Sequence, residues 1–295
     1  MLSLCTEIIL HVCSHVSDKS KIRFTLTSKQ FGGLRSKMIY TDEATYSNIF
    51  NLPYFDNFEN IQVTLAPITP PKHAKRIYLR SFTFNIPDYV THFMLNRSNH
   101  VAYGAARKEL ILPLSVTHLF INAVNLLRYE KIPISVTHLV FGHRFNQSIY
   151  ETIPNFVTHL TFDYRFNQKI SNSLPPNVTH LTFGTSFNQR VRENIPPTVT
   201  HLTFGHHFNR SIKDAIPESV IHLTFGYDFN KSIFDAIPKF LTHLTFGYRF
   251  NQPIAGNIPK SVTHLTFGCK CNRYLTKYIP ASVVHVLFGH NVVHC

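Results

Sequence analysis

The chain has 295 residues, of which 44% are apolar and 15% charged, which excludes a disordered polymer. No apolar run approaches the ~18 residues that a membrane-spanning helix needs. Lys and Arg number 29 against 16 Asp and Glu, a net charge of +13, and the bias toward 26 Phe and 19 His without Trp points to internal repetition.

Residues 1–16 are apolar in places, but Glu7 lies among them and no Lys or Arg precedes the apolar stretch. A secretory signal is therefore not expected. Five Cys at positions 5, 13, 269, 271 and 295 are an odd number without framework spacing. That fits a reducing cytoplasm or nucleus rather than a disulfide scaffold. Ile8, Ile9, Val12 and Val16 fall on one helical face. Ser17 and Asp18 can cap a helix running through Arg23 and Leu26, and Thr27 and Ser28 can cap another. Residues 1–45 thus read as a helical segment and 46–73 as a connecting segment.

From there the chain repeats. His recurs at 118, 138, 159, 180, 201, 222, 243, 264 and 285, spaced by 20 and then seven times by 21 residues. A fixed period of this size marks a solenoid. The regular units occupy 136–295. Degenerate units fill 74–135, headed by Val116 and Val90, with Ile77 and Leu79 inward in the weakest and a loop insertion between Asn96 and Leu110. Counting from Val157 as position 1, apolar residues hold positions 1, 4 and 6, with His at 3 and mostly Thr at 5. That alternation predicts a short strand with one buried face. Position 7 is Gly in most units, as at Gly184, Gly205 and Gly226, and suggests a turn or positive φ. Position 10 is Phe except at Cys271, which reads as a core substitute. Position 11 is Asn at 146, 167, 188, 209, 230, 251 and 272, read as an Asn ladder bonding turn backbone of successive coils. Position 14 is apolar, and an Ile-Pro or Leu-Pro pair closes the unit. So few inward side chains cannot offset the backbone entropy of one unit, so stacking must supply the difference.

The His at position 3 predicts a row of imidazoles about 4.8 Å apart. Neighbouring positive imidazoles repel, so folding should lower their pKa values. Positions 8 and 9 vary from unit to unit. His143, Arg144, Tyr164, Arg165, His206, His207, Tyr227, Tyr248 and Arg249 are the candidate target-binding residues among them. Two readings stand: a specificity-bearing surface, or unconstrained turns. Residues 1–73 carry a net +1 and residues 74–295 a net +12, but the basic residues are scattered, which disfavours nucleic acid as partner. No catalytic constellation, cofactor motif or metal site is expected, and Cys269 and Cys271 are too isolated for zinc.

The unit V-T-H-L-T-F-G-x-x-F-N-Q-x-I-x-x-x-I-P resembles the FNIP repeat, a branch of the leucine-rich repeats. Its Asn lies two places later than in the common leucine-rich form, which implies a wider turn. Leu4-Cys5-Thr6-Glu7-Ile8-Ile9 and Leu26-Thr27-Ser28-Lys29-Gln30-Phe31 resemble the two ends of an F-box, with Cys5 where that family usually has Pro. The resemblance implies an α+β repeat protein: a short F-box, then a leucine-rich-repeat-like β-solenoid. It further implies a non-catalytic substrate adaptor of a Skp–cullin–F-box type ubiquitin ligase. Leu4, Ile8, Ile9, Leu26 and Phe31 would then dock a Skp-type adaptor, and the repeats would hold a target protein. The combination is known from giant viruses of amoebae, which implies the host cytoplasm. The rival readings are a repeat-only scaffold whose helices cap the solenoid, and a basic nucleic-acid-binding solenoid.

Overall fold

The computed structural model describes residues 2–27, 29–64, 68–81, 86–96, 111–122, 132–268 and 277–289. These divide into two compact units. One holds the described residues up to Asn96 together with 111–117, and the other those from His118 onward.

The first unit opens with helices α1 (Leu2–Ser14), α2 (Asp18–Leu26) and a single turn α3 (Lys29–Gly32). Ser17 caps α2, its hydroxyl accepting the Ser20 backbone N–H at 3.3 Å. Lys21, almost fully buried, donates to Asp18 Oδ1 at 2.7 Å and to the Ile39 carbonyl at 2.8 Å. The other Asp18 oxygen accepts the Asp42 backbone N–H at 2.6 Å. Both charges are thereby paired and hydrogen-bonded, the condition for burying them. Tyr40, Tyr54 and Phe58 form an aromatic cluster, with the Phe58 and Tyr54 ring centroids 4.7 and 5.2 Å from that of Tyr40 and 6.1 Å from each other.

Four parallel strands follow in this unit: β1 (Ala44–Thr45), β2 (Asn60–Val63), β3 (Arg76–Ser81) and β4 (His92–Asn96), with a helical turn α4 (Tyr46–Ile49) after β1. The segment read from sequence as a connector thus contains β2 and α4. Ile61 and Val63 alternate inward with Ile77 and Leu79 of β3, all buried.

The second unit is a stack of nine parallel strands: β5 (His118–Asn122), β6 (His138–Phe141), β7 (His159–Phe162), β8 (His180–Thr182), β9 (His201–Thr203), β10 (His222–Thr224), β11 (His243–Thr245), β12 (His264–Gly268) and β13 (His285–Gly289). Register is strict, each residue pairing with its equivalent one repeat on, as His222 with His243 and Leu223 with Leu244. The core is a set of buried rows: Val or, at residue 241, Leu at position 1, Leu at 4, Phe at 6 and 10, Ile or Val at 14. Phe183 lies 3.9 Å from Phe187 in its own coil and 5.7 Å from Phe204 in the next, nearly parallel to both.

The position-7 glycines open the turn expected of them, as where Phe208 N–H returns to the Gly205 carbonyl at 3.3 Å, but those described do not have positive φ. Their reason is close approach: a Cβ on Gly205 would overlap the Gly184 carbonyl, and one on Gly226 the Gly205 carbonyl. Positive φ belongs instead to position 16, at Glu151, Asn172, Glu193, Asp214, Asp235 and Gly256, with values of 49 to 70°. There the position-17 N–H donates back to the position-14 carbonyl, as from Ala215 to Ile212 at 3.1 Å, closing a tight turn.

Candidate functional site

Three features can meet a partner: the outer sheet face, the turn ridge beside it, and the N-terminal helices. On the sheet face the position-3 imidazoles form one column from His118 to His285, ring centroids 4.1 to 4.5 Å apart. In most units the preceding Thr hydroxyl lies 2.9 Å from Nδ1, as at Thr158–His159 and Thr200–His201. Ile221 has no hydroxyl to offer His222. Partial burial, then the neighbouring imidazoles, push His159 down to about 4. Burial followed by neighbouring imidazoles also lowers His138, His201, His222 and His243.

The turn ridge is held by its own ladder. Ser186 N–H donates to the Tyr164 carbonyl, His207 to Thr185, Asp228 to His206 and Arg249 to Tyr227, at 2.8 to 2.9 Å. This fixes positions 8 and 9 of successive coils side by side. The structure groups the candidate residues into two clusters. His143 stacks on Tyr164 at 4.5 Å, with Arg144 and Arg165 exposed beside them. Two coils on, His206, Tyr227 and Tyr248 stack in a column, 4.7 Å per step, with His207 and Arg249 alongside. Thr185 and Ser186 separate the clusters.

Asp228 was missed in the sequence as a site residue, and it organises the second cluster. Its Oδ2 lies 2.7 Å from His207 Nδ1, and its Oδ1 3.1 Å from Arg249 Nη1. Arg249 also sits over the Tyr227 ring, 5.6 Å from its centroid. The available signal was the period: Asp228 stands 21 residues after His207, hence directly beside it in a parallel in-register stack. Ser186 holds the same register position one coil earlier, and among the described residues no hydrogen bond joins it to His207.

Beyond the ridge runs the Asn row. Asn146 Oδ1 accepts the Asn167 backbone N–H, and the same bond recurs from Asn167 to Asn188, Asn188 to Asn209, Asn209 to Asn230 and Asn230 to Asn251, at 2.9 to 3.1 Å. Asn272 and Cys271 lie outside the described residues. Ile8 and Val12 on α1 are 57% and 58% exposed, and Leu26 at the end of α2 67%. The helical face expected through Val16 stops short of it, because α1 ends at Ser14 and Val16, 40% exposed, lies in the link to α2. Ile9 and Phe31 are half-buried, Phe31 stacking on Phe24 at 4.8 Å. The Leu4 side chain lies outside the described residues.

A parallel solenoid of units of about 21 residues, with buried Val, Leu and Phe rows, is a leucine-rich-repeat-like fold. Its regular part carries FNIP repeats: residues 145–186, 166–207, 187–228, 208–249, 229–270 and 250–291 each match the FNIP Repeat family. The chain is 29% identical over 159 residues to an FNIP repeat-containing protein of Acanthamoeba polyphaga mimivirus, covering 47% of this chain and 38% of that one. It is also similar to CroV588, a solved structure described as a novel circular LRR protein, at 34% identity and a TM-score of 0.62. That likeness covers 85% of this chain and 39% of CroV588. The chain therefore spans about two fifths of each of these two proteins.

Proposed function

We propose that this chain is a non-catalytic adaptor. The repeat solenoid holds a target protein on its turn ridge, and the N-terminal helices dock a Skp-type partner that links it to a cullin ubiquitin ligase. The observation that carries the reading is the exposed apolar pair Ile8 and Val12, one helical turn apart on α1, in the segment that resembles an F-box. Large apolar side chains grouped on a water-facing surface mark an interaction site. The role of such a protein is to raise the effective concentration of a target beside a modifying enzyme.

A second reading makes the helices a cap of the repeats, supported by their place in the same compact unit as β1–β4. Co-purification with a eukaryotic Skp adaptor separates the two. The test variant is Ile8→Asp with Val12→Asp, both at exposed positions and so compatible with folding. Capture of the wild type and loss in the variant is the expected result. A folded wild-type chain that captures no Skp homologue overturns the ligase role and leaves the scaffold with its capped end.

A further inference from the structure

The second cluster on the turn ridge contains a chemistry the repeat itself does not use. His206, His207 and Asp228 each offer one ligand atom, and these atoms all lie within 4.8 Å of one another. The positions come from two adjacent coils whose backbones the ridge ladder pins, through His207 N–H to the Thr185 carbonyl and Asp228 N–H to the His206 carbonyl. Stacking on Tyr227 at 4.7 Å holds the His206 ring, and Arg249 holds Asp228 Oδ1 while Oδ2 faces His207. Among the described residues no other group of three His, Cys, Asp or Glu meets the same distance condition.

We propose that His206, His207 and Asp228 form a surface site for a divalent transition-metal ion of the zinc class. Two imidazoles and one carboxylate make the donor set that zinc accepts with a fourth position left open to water or to a partner's side chain. At ordinary metal–ligand lengths of about 2.0–2.2 Å, tetrahedral ligands stand about 3.4 Å apart. The 2.7 Å His207–Asp228 hydrogen bond has to open slightly to admit the ion, and any pair near the 4.8 Å limit has to close. Arg249 then acts as the outer partner that orients a ligating carboxylate, and its charge also weakens the site. The open fourth position makes this a site that a target's His, Cys or carboxylate can complete. The metal site does not depend on the Skp reading, since its residues lie in the repeats.

The test is titration of the untagged full chain with zinc chloride alone, read by calorimetry and by thermal melting. The wild type is expected to take up one zinc per chain and to melt at higher temperature with it. His206→Phe keeps a ring to stack on Tyr227 and removes the nitrogen, and Asp228→Asn keeps a side chain of the same shape. Each, shown folded by circular dichroism, is expected to bind at least tenfold more weakly. No saturable uptake by the wild type overturns the proposal. So does undiminished uptake by His206→Phe and Asp228→Asn, which would put the zinc elsewhere, on the imidazole column for instance.

Discussion

The regular coils and the N-terminal unit bury polar groups in opposite ways. In the coils most polar bonds belong to rows, the Asp228 cluster being an exception. Asn188 accepts from Asn209, Asn209 from Asn230, and each Thr–His pair repeats the one before it. In the N-terminal unit the buried bonds do not repeat: one Lys21–Asp18 pair, tied once to Ile39 and by two reciprocal bonds to Asp42. A row spreads stability over many equal links, whereas a single buried pair concentrates it.

Mutation should expose that difference, most sharply at the pair. Asp18→Ala strands a buried ammonium, and removing one partner of such a pair costs about 3–5 kcal/mol. Urea unfolding should show a destabilised early transition from the N-terminal unit while the solenoid keeps its own midpoint. A single midpoint that shifts for the whole chain would mean that the two units unfold as one.

Glycine separates the regions next. Gly226→Ala drives a methyl into the Gly205 carbonyl and should cost about 1–3 kcal/mol. Gly33→Ala meets nothing within 4 Å and should change the urea midpoint little. Equal costs at both sites would refute the close-approach account of the glycine row.

Asn209→Ala removes one rung and leaves the Asn230 backbone N–H without its acceptor, about 1–2 kcal/mol on the same assay. The loss should be similar at Asn188 and somewhat larger at Asn230, whose Oδ1 also accepts from Gln252 Nε2 at 3.0 Å. A cost confined to one of the three would show that the row is not uniform.

The imidazole column gives the smallest effect per residue, and its sign is fixed. Folding lowers these pKa values, so the unfolded chain binds more protons in acid. Their contribution is full above the unfolded value near 6.5 and is lost as pH falls toward the folded value, about 4 at His159. Melting temperature should be level above about pH 7 and decline by a few degrees through that window. A level profile down to about pH 4.5 would contradict the stacked, proton-poor column.

Much of the solenoid was legible because its rules are local. Alternation at positions 3 to 6 declares a strand, and a strict period declares the stack. The glycine row was partly legible: the turn it opens was expected, but glycine has two uses, freedom in φ and absence of a Cβ, and a single chain does not say which is in play. Position 16 stayed hidden because it mixes residues. Asn172, Asp214, Asp235 and Gly256 suit a left-handed backbone, but Glu151 and Glu193 do not advertise it. β2 escaped notice because its four residues hold only two apolar side chains, Ile61 and Val63. The site was half legible. Aromatic and basic residues at positions 8 and 9 were visible as a set, but Asp228 gains meaning only beside a neighbour 21 residues away.

That spacing has a consequence for how such a chain can change. The bonds that join one regular coil to the next span 20 to 22 residues, as from Asn209 to Asn230 and from Ser186 to Tyr164. Duplicating or deleting one whole coil leaves each of these links satisfied, while inserting a single residue breaks all of them at that coil. The protein can therefore lengthen or shorten its binding ridge in whole steps, each adding two new turn residues, without renegotiating the rest of its interior.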